Sequence, residues 1–254
     1  MLSKIYSYAC NLKYWVCWVF YFIIFLKTSR LLLGLSSFFY YNLIIMNHNL
    51  PKIIPVFPLS GVIFFPKTNL PLNIFEPRYL ALVNDSIKSN KYMGMIQTQR
   101  NSSDVYTIGC LGKITEQKKT KDGRLLVNLT GISRFEIKSE IKNNKIYREF
   151  SVSYEKFLND LKKENKSNVE GEIEQIFEKT KVFFKKNGLL LNWNEFEKLE
   201  QDQKINNLAM IAPISNEEKQ SILESVHTDS KTKVLLEIIE FYLHENPTNN
   251  ITLQ

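Results

Sequence analysis

From Ile53 to about Phe157, apolar and polar positions alternate with a period of two, in short runs closed by Pro, Gly, Asn and Asp. That spacing predicts strands with one buried face. KIIPVFP, GVIFFP and LPLNIF read as three short strands ending near prolines, which have no N–H to give a ladder. In EPRYLALVNDSIKS the spacing becomes helical: Pro77 suits a first turn with Glu76 before it, and Tyr79, Leu80, Val83 and Ile87 form an apolar stripe. YMGMIQTQ returns to a strand. A hairpin follows, YTIGCLGKITEQKKT and RLLVNLTGISRFEI, in which Asp122-Gly123 supplies the positive φ that the turn needs. KNNK at 142–145 marks another turn before IYREFSVSYEKF. The pattern predicts an α+β unit with a mainly β core over 51–157, about six strands around one helix.

Beyond Phe157 the character changes. LNDLKKENKSNVEGE predicts a polar connection over 158–168, and helices are expected over Val169–Lys186, Asn194–Leu199, Gln203–Ile211, Glu217–Ser225 and Ser230–His244. Ser215 and Glu218 have capping-box spacing, and Pro213 separates that helix from the one before. In the last helix Val234, Leu235, Ile238, Ile239, Tyr242 and Leu243 make a stripe wide enough for a small bundle over 169–246.

Residues 1–45 follow neither pattern. They hold no Asp or Glu, and Tyr14–Leu26 is an uninterrupted apolar and aromatic run closed by Lys27 and Arg30. Three readings stand open. The run is shorter than the ~20 residues of a spanning helix, so an inner-membrane anchor through 14–26 needs flanking lysines to snorkel. A secretory signal has an apolar core of this kind but needs a small-residue cleavage site, for which GLSS is a poor match. Alternatively the functional protein starts at Met46, at the composition boundary.

Composition narrows the chemistry. The formal charge of +7 is partly a property of the leader: without Lys4, Lys13, Lys27 and Arg30, 29 basic residues face 26 acidic ones. A nearly balanced body without a basic stripe interleaved with aromatics makes nucleic acid an unlikely partner. Past the leader only Cys110 remains, which fits a reducing cytoplasmic setting, and the three histidines are scattered, so neither a disulfide framework nor a metal site is expected. No phosphate-binding loop, G-x-G-x-x-G, G-x-S-x-G or H-E-x-x-H motif occurs, so no cofactor is expected; Ser and Lys both abound, which leaves a Ser-Lys dyad open by composition, but no local context isolates one.

One short motif stands out, IFEPRYL at 74–80. Glu76 and Arg78 could fix a ligand, with Tyr79 stacking on it. Equally, Glu76 could cap the helix, Arg78 pair with a carboxylate and Tyr79 pack. KKTKDGR similarly reads as a basic contact surface or as a solvated hairpin tip.

The order of these motifs resembles the Lon N-terminal domain family. PVFPLSGVIFFPKTNLPLNIFEPRYLALV, MGMIQTQ, IGCLGKI, LTGISRFEI and the helical LAMIAPISNEEKQSILE carry the likeness, across about residues 51–244. The resemblance implies a PUA-like β fold followed by helices. It also implies a role in recruiting unfolded or apolar protein segments, as in a short stand-alone bacterial member without the ATPase and protease domains, and no catalytic residue. A β domain of this kind offers an extended peptide an apolar groove or sheet edge. The candidate contact residues are Phe57, Phe64, Phe65, Ile74, Phe75, Glu76, Arg78 and Tyr79. The alternative implied by the fold is an RNA-binding PUA-like protein.

Overall fold

The computed structural model describes residues 50–100, 102, 104–162 and 170–244. The expectations for 14–26 lie outside them.

Six strands form one sheet: β1 (Ile53–Leu59), β2 (Asn69–Ile74), β3 (Tyr92–Gln97), β4 (Ile108–Lys119), β5 (Leu125–Ile141) and β6 (Arg148–Ser153). Their order is β2-β5-β4-β3-β1-β6, and a further β5–β6 pairing closes β1, β3, β4, β5 and β6 into a ring. β2 is left as an appended edge. The length of β5 makes this possible: its first half pairs with β2 and its second half with β6, while β4 runs along its other side. The β1–β3 pair is parallel and therefore needs a crossover, which carries β2 and helix α1 (Pro77–Lys88). Closure removes most free strand edges.

The expected GVIFFP strand is not one. Val62–Phe65 run as irregular chain, entered through Gly61 at φ 82° and left through Pro66 and Lys67, itself at φ 60°. Its main chain is held by single bonds instead of a ladder: Lys67 N–H donates to Gly131 O (2.9 Å) and Thr68 Oγ1 to Phe65 O (2.7 Å). The apolarity that suggested a strand serves another end. Phe64 enters the core between α1 and the sheet, with Phe57, Leu70, Tyr79, Leu82, Val83 and Met93. Phe65 and Ile63 enter the core of the helices, with Phe184, Leu208, Ile222 and Leu235.

After β6 a 3-10 turn, Glu155–Leu161, buries Phe157 in that helical core. The expected connection at 158–168 begins inside this turn, and 163–169 lie outside the described residues. Helices α2 (Glu170–Lys186), α3 (Trp193–Glu197), α4 (Gln201–Ile211), α5 (Asn216–Glu224) and α6 (Thr228–His244) follow within a few residues of their predicted places. The capping box forms at α5: Glu218 N–H donates to Ser215 Oγ (3.2 Å) and Ser215 N–H to Glu218 Oε2 (2.7 Å). No helix among the described residues is long and apolar enough to cross a membrane.

A polar seam joins strands to helices. Arg134 on β5 is 1% exposed, and its guanidinium bonds both oxygens of Asp160 (2.8 and 2.9 Å) and the carbonyls of Leu223, Ser225 and Val226 at the C-terminal end of α5. Its charge lies 4.3 Å above the Phe157 ring. Burial pushes the Asp160 carboxyl up, but the bonds and charge of Arg134 outweigh it and hold the group below its ordinary range. Nearby, buried Lys231 donates to Asn206 Oδ1 (3.1 Å), and Asn206 Nδ2 donates to Pro66 O (2.9 Å). Burial, reinforced by Arg134, lowers Lys231 to about 8 against the pull of Asp160, Asp202 and Cys110.

Candidate functional site

The eight residues proposed from sequence separate into two sets. Phe57, Phe64, Phe65, Ile74 and Tyr79 are all buried, so a ligand at the surface does not reach them. Their hydrophobicity is that of core positions, which period-two spacing alone does not distinguish from a half-open groove. Tyr79 stacks on Phe57 with ring centroids 3.9 Å apart, and its hydroxyl points at Pro58 O (3.4 Å). Burial, more than the neighbouring charges, raises its pKa. Phe75, Glu76 and Arg78 remain at the surface, where β2 turns into α1.

Pro77 is the first residue of α1, as its fixed φ and missing N–H favour. Glu76 occupies the N-cap position with extended backbone, but its side chain makes no cap bond. Its carboxylate instead accepts from Arg78 Nε and Nη2, both at 2.9 Å. Arg78 in turn lies 4.5 Å above the outer face of the Tyr79 ring. Tyr79 thus serves as a floor: Phe57 supports it from within and Arg78 covers it from without. Phe75 beside this pair is 64% exposed.

The sheet register extends the surface. Asn73 faces Leu126, and Leu126 faces Lys118; Pro71 faces Asn128. Because side chains alternate, Leu125, Val127 and Leu129 point toward α1 while Leu126 points away from it. Leu126 is 41% exposed, and Pro71 is exposed too. Pro71, Leu126 and Phe75 therefore mark an apolar strip on the outer face of a three-stranded arm. Sequence reading missed Pro71 and Leu126. The LL doublet at 125–126 did signal that one leucine faces outward, but which one depends on the register.

The most strongly displaced ionisable groups lie elsewhere. Burial raises the Cys110 thiol well above its usual value, and the lowered Lys231 amine is equally interior. Neither meets solvent, so these shifts mark the seam between strands and helices rather than a reactive cleft. Among the described residues no group of three His, Cys, Asp or Glu side chains is placed to hold a metal ion.

The family model of the ATP-dependent protease La (LON) substrate-binding domain matches residues 53–240. The chain belongs to the Lon substrate-binding domain family. Among curated proteins it is similar to Lon protease 2 of Myxococcus xanthus, 22% identical over 77% of this chain and 24% of that one. It is also similar to the Lon protease of Elusimicrobium minutum, 31% identical over 38% of this chain and 12% of that one. The chain thus spans a quarter or less of the length of these relatives. Two solved structures share the fold: a Lon N-terminal domain protein from Xanthomonas campestris (20% identity, TM-score 0.55) and the N-terminal domain of the Mycobacterium avium complex Lon protease (14%, 0.57). Each covers 74% of this chain, and this chain covers 98% of each. These neighbours support the α+β class, with its ring of strands followed by helices.

Proposed function

We propose that this Lon-type domain acts by recognition alone, holding unfolded or apolar segments of client proteins as an adaptor or regulator in protein quality control. The observation that carries the reading is the match to the substrate-binding family model over 53–240. The interior position of Cys110 and Lys231 supports binding rather than catalysis, and the free thiol of Cys110 fits a cytoplasmic setting. The contact surface is the β2–α1 corner, with Phe75 as its apolar anchor and Glu76 and Arg78 as its rim. A single exposed anchor gives modest burial, so affinity for one segment is weak and gains from several contacts per client.

A photo-crosslinking residue placed at Phe75, and in a control at Ile53, tests this. Ile53 is also well exposed but lies on β1, away from the corner. A permanently unfolded, carboxymethylated protein should crosslink at position 75 well above position 53 and above its folded form. Equal yields at the two positions, or no preference for the unfolded form, would discard the reading.

A further inference from the structure

We propose that the outer face of the β2–β5–β4 arm selects client segments in which acidic residues alternate with apolar ones; this rests on the client-recognition reading and narrows its substrate class. The apolar strip of Pro71, Leu126 and Phe75 is not electrically neutral ground. Lys118 shares the row of Leu126 on the same face, two residues past Glu116; Lys119, opposite Leu125, leaves from the other face, and Lys121 stands in the turn. All three are exposed, and among the described residues none of them takes part in a salt bridge. Arg124 in the same hairpin is held by Asp122. Over 113–124 five cations, Lys113, Lys118, Lys119, Lys121 and Arg124, face two anions, Glu116 and Asp122. An excess of unpaired cations around exposed apolar side chains complements a segment carrying carboxylates between its hydrophobic residues. Burial of apolar area supplies the affinity, and the charges supply preference and speed of encounter.

The rest of the arm limits where such a segment lies. At the far end of the face Thr130 Oγ1 donates to Asn69 Oδ1 (2.9 Å) and Thr115 Oγ1 to Asn128 O (3.1 Å), so these groups already satisfy one another. The free edge of β2 is blunted by Pro71, which has no N–H to offer an added strand. Docking is therefore across the face near Leu126 and Phe75, not along the edge. A single-stranded nucleic acid would want successive stacking platforms, and this face presents one aromatic ring, Phe75.

The test uses three labelled peptides of equal length, with Phe and Leu at alternate positions and Asp, Ser or Lys between them, and a polyuridine oligonucleotide. Anisotropy titrations should show the Asp peptide binding about threefold to tenfold tighter than the Ser peptide, as two or three exposed charge pairs allow. The gap should close as salt rises. Lys118→Glu combined with Lys121→Glu should reverse the order of the Asp and Lys peptides, and Leu126→Ser should weaken all three. Equal binding of the Asp and Ser peptides overturns the acidic preference and leaves client recognition standing. Failure of every peptide to bind removes both. Unchanged binding by the Leu126→Ser variant moves the site off this face, and tighter binding of the oligonucleotide than of the Asp peptide replaces the proposal with a nucleic-acid one.

Discussion

Arg134 and Lys231 are two buried cations with opposite consequences. Arg134 has both a carboxylate and three carbonyls to receive its protons, so removing it strands Asp160 as an unpaired buried anion. Arg134→Met is expected to destabilise the protein by about 3–5 kcal/mol, and adding Asp160→Leu should recover much of that loss, measured by urea denaturation. The pair's contribution is present above the ordinary carboxylate range and is lost as pH falls through the lowered pKa of Asp160. Lys231 has one neutral acceptor, Asn206, and its folded pKa is depressed to about 8. Below that value the ammonium is held in the interior at a cost, which disappears as the native amine deprotonates before the unfolded one. Lys231→Met should therefore raise stability at pH 7 by about 1–3 kcal/mol, with the advantage over the parent shrinking between about pH 8 and 10. Cys110, whose thiol is raised, acts the other way above its ordinary range, but it is common to both proteins and drops out of their difference. None of this was legible in the sequence. SRFEI identified a strand, but its arginine finds Asp160 in a stretch that looks like a polar connection and carbonyls about ninety residues further on.

Elements were more legible than contacts, because they depend on neighbours in sequence. The α5 capping box, the proline at the start of α1 and the glycine of the β4–β5 turn are each local devices, and each stands where its residues suggested. Ser215→Ala should lower stability by about 1 kcal/mol, read as a shift of the thermal midpoint. GVIFFP failed as a strand because its hydrophobicity answers to two cores on opposite sides rather than to a ladder. Its course is fixed by Gly131, where an added Cβ would stand 2.1 Å from Phe65 O, a backbone atom with little freedom to retreat. Gly131→Ala is therefore expected to cost about 3 kcal/mol, measured by urea titration. The outer strip was half legible for a related reason. Alternation distinguishes two faces, but only the pairing of Leu126 with Asn73 and Lys118 shows which residues share one.

For the molecule from Pro51 onward, strands and helices differ in character yet share their hydrophobic contacts. Ile63, Phe65, Ile108 and Phe157 come from the β half and are buried among the helices. Hydrogen exchange should accordingly show amides in β3–β4 and in α5–α6 opening with the same free energy and the same denaturant dependence, as one cooperative unit. Two separated opening energies would mean that the seam does not couple the halves.

The sequence distance across the Arg134 staple has a consequence during synthesis. At translation rates of 5–20 residues per second, Leu223 follows Arg134 out of the ribosome by about 5–20 s. In the later part of that interval, once Phe157 has emerged, the β half still lacks α5 and α6, which complete the cover of Phe65, Ile108 and Phe157. For those seconds the nascent domain itself displays the kind of apolar surface proposed above for its clients.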